Sequence, residues 1–151
     1  MSGALSRNGV EAPPRIRFEN KIAVVLREDL AVWQKLNATA FLVSGVAART
    51  PGVIGEPYED GTGNRYLPMF RQPVLVFAGT AEQVRSAYER ALARGVAFSL
   101  FTEELFTTGN DADNRAAVRA CPSEALRVVG IAFHAERKLA DKLLKGMALH
   151  R

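Results

Sequence analysis

The chain has 151 residues, 48% hydrophobic and 24% charged, which fits one globular domain with a core of its own. It holds no run near the ~20 apolar residues of a membrane span, its first residues, MSGALSRNGVEAPPR, carry no apolar leader segment, and its lone Cys121 excludes an internal disulfide framework, so a cytoplasmic protein with no membrane association is expected. The net charge of +4 admits an acidic partner such as RNA, but there is no run of five or more basic residues and no arginine–aromatic interleaving to argue for one.

Residues 1–17, with Gly, Ser, Asn and Pro13-Pro14 but no periodicity, read as a flexible tail ahead of a single domain over 18–151. Residues 18–26 predict a first strand, and the unbroken Ile22-Ala23-Val24-Val25-Leu26 run predicts that it is covered on both faces. It ends in Arg27-Glu28-Asp29, with Trp33 just beyond, and in open α/β sheets the carboxyl end of a strand is where ligands bind. A helix is expected from about Lys35 to Ala48; its Ala38, Ala40, Ser44, Gly45 and Ala47 suit close packing on a sheet or another helix. Residues 49–72 have no helical period, and EDGTGNRY has the chemistry of a hairpin turn, with Tyr58 to Tyr66 as its arms. A second strand follows at 73–78.

Thr80-Ala81-Glu82-Gln83 matches a capping box, and Val84, Ala87, Tyr88, Ala91 and Leu92 recur at helical spacing until Gly95. Strands are expected at 96–101 and 126–133, separated by one or two short helices broken at Gly109 and Pro122. An amphipathic helix from about Ala135 to Gly146 closes the chain. This order indicates an α/β sandwich.

The sequence has no P-loop, dinucleotide-binding glycine motif or nucleophile elbow. With two histidines, His134 and His150, it has almost no material for a histidine-based zinc site or a serine triad, so neither metal nor cofactor is expected. What remains is a polar set at strand ends: Arg27, Glu28, Asp29 and Lys35 after the first strand, and Thr102, Glu103, Glu104, Thr107 and Thr108 after FSLF. If those strands are parallel neighbours, both groups share one sheet edge. There a lysine can polarise a carbonyl or hold a phosphate, and a carboxylate can orient water. Helix capping and surface ion pairs would account for the same residues without a ligand. In the 49–72 segment, Arg65 and Arg71 among tyrosines suit an anionic or planar ligand, or else a hairpin that covers a sheet edge or meets a second subunit.

The stretches KIAVVLREDL, QPVLVFAGTAEQVRSAYERALARGVAFSLFTEE and VVGIAFHAERKLADKLLKGMAL resemble, in order, the strands and helices of the type 2 peptidyl-tRNA hydrolases. GEPYEDGTGNRYLPMFRQPVLVF together with KLNATAF is similar to a bacterial family on the same fold, domain of unknown function 2000. The resemblance implies a three-layer α/β/α sandwich with a mixed four- or five-stranded sheet, and it points to a homodimer. Carried over residue by residue, it matches the hydrolases' acidic loop and lysine to Asp29 and Lys35, their catalytic aspartate to Glu103 and their threonine to Thr107. Their glycine-containing turn is Ala31-Val32-Trp33-Gln34 here, their glutamine–serine–histidine cluster falls on Ala40, Leu42 and Val43, and Phe106 stands where they have arginine.

Two functions follow as expectations. One is a hydrolase of an acyl ester or amide, such as an aminoacyl or peptidyl conjugate, in which Lys35 polarises, Glu103 orients water and Thr107 hydrogen-bonds the substrate, with Asp29, Trp33, Arg65 and Arg71 binding ligand. The other is a non-catalytic module on the same fold that binds a small metabolite or a partner protein.

Overall fold

The computed structural model describes residues 16–151; residues 1–15 of the expected tail lie outside it. The apolar run of the first strand, β1 (Asn20–Arg27), is buried on both faces because it sits in mid-sheet with helices packed on either side. On one side it pairs in parallel with β4 (Val74–Gly79), on the other antiparallel with β6 (Val128–Glu136), so that Val24 lies opposite both Val76 and Ala132. Alternation along β1 sends Ile22, Val24 and Leu26 into one apolar cluster and Ala23 and Val25 into another. A strand with two cores to fill has no solvent face, hence no alternating pattern.

The sheet has five strands in the order β5-β6-β1-β4-β7, where β5 is Phe98–Thr102 and β7 is Ala148–Leu149. All four expected strands share it. Because β6 runs antiparallel to both β1 and β5, while β4 is parallel to β1, the carboxyl ends of β1, β4 and β5 lie at one edge. Helix α1 (Val32–Arg49) packs on one face, over β5, β6 and β1. Helices α2 (Ala81–Ala93) and α4 (Arg137–Leu143) pack on the other, and α3 (Asp111–Arg119) rests on the 3-10 turn Glu103–Phe106. The small residues of α1 serve its close approach to the sheet: a methyl group at Gly45 would collide with the Ser99 hydroxyl on β5.

The capping box of α2 forms as expected, with Gln83 N–H donating to Thr80 Oγ1 at 3.2 Å and Thr80 N–H to Gln83 Oε1 at 2.9 Å. Helix α1 starts three residues earlier than the sequence suggests, because the Gln34 side chain accepts the Ala31 N–H at 2.9 Å and closes its first turn. At the other end of the chain, Gly146 adopts φ +84°, which stops helical continuation and reverses the backbone. Ala148 and Leu149 can then pair with β4, and His150 N–H donates to the Val76 carbonyl at 2.8 Å. A two-residue strand carries no periodicity, so the sequence gives no sign of β7.

Between α1 and β4 the chain makes an excursion. Its base is closed by Arg71 N–H to the Val53 carbonyl and Gly55 N–H to the Met69 carbonyl, both at 2.9 Å, and Val53 and Phe70 pack into the α1-side core. Beyond the base the expected hairpin forms from β2 (Tyr58–Glu59) and β3 (Arg65–Tyr66), paired antiparallel. The Asp60 carboxylate organises its tip, accepting from the backbone N–H groups of Thr62 and Asn64, from Asn64 Nδ2 and from Tyr66 Oη at 2.8–3.0 Å.

Candidate functional site

The first turn of α1 stands over the carboxyl edge of the sheet and divides it into two environments. On the β5–β6 side lies a chain of ion pairs. The Arg27 guanidinium binds Asp29 through two hydrogen bonds of 3.0 and 2.8 Å and pairs with Glu103 through Nη1. Arg127, which precedes β6, reaches Glu103 at 3.1 Å and Glu104 at 2.8 Å. Although β1 and β5 are parallel they are not neighbours, since β6 lies between them. The Arg27–Glu103 pair spans the gap, and Arg127, before the intervening antiparallel strand, joins Glu103 to Glu104.

The pairing sets the electrostatics. Hydrogen bonding from Arg27 holds Asp29 below the usual carboxylate range, and bonding from Arg127 does the same for Glu104. The Arg27 and Arg127 guanidinium groups are correspondingly harder to deprotonate, Arg27 chiefly through Asp29 and then Glu103, Arg127 chiefly through Glu104. Hydrogen bonds to the charged form cause these shifts, against an opposing cost of burial. Trp33 lies on this side, its ring edge-on to Phe106 with centroids 5.6 Å apart. The Thr107 hydroxyl is turned back to its own loop, donating to the Glu104 carbonyl at 2.9 Å.

Lys35 belongs to the other environment, on the β4 side of α1. Its Nζ lies 3.1 Å from His150 Nε2, while His150 Nδ1 lies 2.7 Å from the Arg151 main-chain oxygen. A main-chain oxygen accepts here, so Nδ1 carries the ring hydrogen and Nε2 accepts from the lysine. The pair stands at a cavity of about 470 Å³ walled by Val32, Leu36, Thr39 and Ala40 of α1 and by Leu26 and Val76 of the sheet. Another groove, of about 520 Å³, opens between α1, β5 and α3 and holds none of the expected site residues.

The sequence-derived set is thus spread over three places. Asp29 and Glu103 are joined through Arg27, with Trp33 and Thr107 on the same side. Lys35 faces His150, although its charge still reaches Asp29 and contributes to the low pKa there. Arg65 lies on the exposed hairpin opposite Glu59, and Arg71 fastens the hairpin base by donating to the Gly52 carbonyl at 3.3 Å. Among the described residues no hydrogen bond or ion pair joins Lys35, Glu103 and Thr107 to one another, and no group of three or more His, Cys, Asp or Glu side chains could hold a metal ion. Arg127 and His150 were not anticipated. Arg127 was signalled only by standing before a strand whose direction the sequence does not give, and His150 only by β7.

These features define a mixed α/β protein with a series of ion pairs at the carboxyl edge of a five-stranded sheet, four helices around it, and none among the described residues long and apolar enough to cross a membrane. The chain belongs to the family described as "Protein of unknown function (DUF2000)", whose model matches residues 20–151. Among solved structures it is similar to the protein of unknown function Atu0240 from Agrobacterium tumefaciens strain C58, at 50% identity and a TM-score of 0.87, over 89% of this chain and 100% of that one. No curated protein matches it significantly.

Proposed function

We propose that this chain binds a small molecule with an apolar body and an anionic group, the body lying between α1 and β4 and the anion at Lys35. The observation that carries this reading is an ammonium group at an apolar cavity whose one hydrogen bond among the described residues is to a neutral acceptor, His150 Nε2. A ligand carboxylate that replaced the imidazole would convert a neutral contact into a charge-assisted one. The cavity volume falls in the range of small-ligand sites, ~300–1,000 Å³. By contrast, every carboxylate of the Arg27 chain already has a guanidinium partner.

The test is calorimetric titration with octanoate and with octanamide, which share an apolar tail and differ in charge. Octanoate should bind about tenfold more tightly, equivalent to ~1.4 kcal/mol. Lys35→Met should remove that preference while leaving tail binding, and Glu103→Gln should leave both. Equal affinity of the two probes for the unaltered chain would sink the proposal.

Acyl ester or amide hydrolysis, implied by the resemblance to type 2 peptidyl-tRNA hydrolases, is the second reading. It is favoured by the shared edge, on which the Lys35 charge acts on Asp29 and Asp29 connects through Arg27 to Glu103. It requires Glu103 to be released from at least one arginine and Thr107 from its carbonyl. With apolar Ala40, Leu42 and Val43 at the positions matching the polar cluster, each lost transition-state contact costs ~10²–10³ in rate. Release of free tRNA from N-acylated aminoacyl-tRNA should therefore be weak or absent. Robust turnover, lost in both Lys35→Ala and Glu103→Gln, would reinstate hydrolysis. Binding to tRNA that falls steeply with salt, without turnover, would instead indicate an electrostatic role.

A further inference from the structure

The hairpin that rises from the Val53–Arg71 base carries its apolar side chains outward. Tyr58, Tyr66, Leu67 and Met69 are 50%, 55%, 84% and 56% exposed, and with Arg65 and Pro68 they shape a shallow concave surface. Two-residue strands make a hairpin of marginal stability in water by itself. Among the described residues its contribution to the domain core ends at Val53 and Phe70, so the apolar groups of the outer arm stay half exposed or more. Contiguous exposed apolar surface of this kind marks an interaction site.

The same chain carries a matching surface. Helix α1 lies over β5, β6 and β1 and not over β4, whose Val74 and Val76 are only partly buried. The resulting trough is the one that holds Lys35, and its rim residues Val32 and Leu36 are 73% and 67% exposed. The charges are complementary as well. Glu56 and Glu59 on the arm make no ion pair among the described residues, and Lys35 in the trough has no carboxylate partner there.

We propose that two copies of this chain exchange arms, each laying the segment around Leu67 into the other's α1–β4 trough. One arm and one trough per chain give two identical contacts under a two-fold axis, a closed arrangement that leaves neither surface over. The Lys35 pocket is then completed by its partner, whose tyrosines and Leu67 close over the side that is open in a single chain. The carboxylates of the arm and the anion of the proposed ligand compete for Lys35, so a ligand reaches it by displacing them, and the exchange needs no ligand to form.

The test uses the full chain and light scattering after size exclusion. The unaltered protein should run at twice its 16.5 kDa chain mass. Leu67→Asp and Leu36→Lys change side chains that are exposed in the single chain, so neither should disturb the domain core, and each alone should yield monomer. Mixing the two variants should restore a dimer, because the altered arm then meets the altered trough while the other pair of contacts is native. A monomeric unaltered protein, a dimer that persists in either variant, or failure of the mixture to re-form a dimer would each overturn the exchange. A dimer that behaves as expected but does not prefer octanoate to octanamide would refute the ligand reading alone.

Discussion

Two sides of one helix turn make opposite use of charge. On the β5–β6 side, Asp29, Arg27, Glu103, Arg127 and Glu104 form an unbroken series in which every group has an opposite partner. Across α1, Lys35 meets, among the described residues, the His150 imidazole and a largely apolar wall. A satisfied series resists a ligand, since any newcomer must first displace an existing partner. A cation without an anion gains from one. Charged residues at the carboxyl end of strands are therefore not equivalent, and the side with fewer charges is the better candidate for binding.

Arg27→Ala should break this contrast most severely. The Arg27 side chain is 17% exposed, and its loss leaves Glu103, 33% exposed, with Arg127 alone and Asp29 without its guanidinium partner. Deleting one member of a fully buried pair costs ~3–5 kcal/mol and an exposed pair contributes below ~1, so a loss of about 2 kcal/mol in urea unfolding is expected. Removing the Glu103 charge as well, in Arg27→Met with Glu103→Gln, should recover part of it. On the other side, Lys35→Met should leave the unfolding midpoint nearly unchanged and show itself only in ligand preference. A midpoint equally sensitive to Lys35 and to Arg27 would erase the distinction between the two sides.

Much of this arrangement was written in local patterns, and the remainder depends on pairing at a distance. The four strands and the capping box of α2 follow from apolar runs and the Thr80–Gln83 spacing, both of which act within a few residues. The edge that collects Asp29 and Glu103 follows from strand direction, which the sandwich topology constrains. Which carboxylate meets which cation does not follow. Arg127 joins Glu103 to Glu104 only because β6 is inserted antiparallel between β1 and β5. Position at a strand end groups Lys35 with Glu103, yet Val32, Lys35, Leu36 and Thr39 recur at three- and four-residue spacing on the α1 face toward β4, while Trp33 meets Phe106. His150 could not be seen at all without β7.

Acid should act on the satisfied side first, and by less than Arg27→Ala. Asp29 and Glu104 are held below the usual carboxylate range in the folded chain. A folded pKa below the unfolded one contributes stability above the unfolded value, ~4 for these groups, and loses it as pH falls through the folded value. Unfolding midpoints measured through the acid range should accordingly drop below about pH 4. The Asp29 and Glu104 side chains are 60% and 37% exposed, so solvent and salt screen much of the effect. In Arg27→Ala the part due to Asp29 should vanish and the part due to Glu104 should remain.

The smallest effect on the whole domain, and the sharpest local one, should come from Asp60→Asn at the tip of the arm. Asp60 is held far below the carboxylate range by Asn64 and then by Tyr66, and Tyr66 is raised in turn by donating to Asp60. The signs are opposite. The turn keeps its Asp60 bonds from neutral pH down through the ordinary aspartate range and loses them only as pH falls through the lowered value. The Tyr66 contribution persists through the ordinary tyrosine range near ~10 and is lost as pH rises through the raised one. Asparagine in place of Asp60 keeps one acceptor oxygen where the carboxylate offered two, for a turn that brings four donors. Tyrosine ionisation followed by ultraviolet absorbance should then return Tyr66 toward the ordinary range, and amide exchange at Thr62 and Asn64 should quicken while the α2 core stays protected. Unchanged Tyr66 ionisation in Asp60→Asn would show that the tip is organised by its backbone and not by the carboxylate.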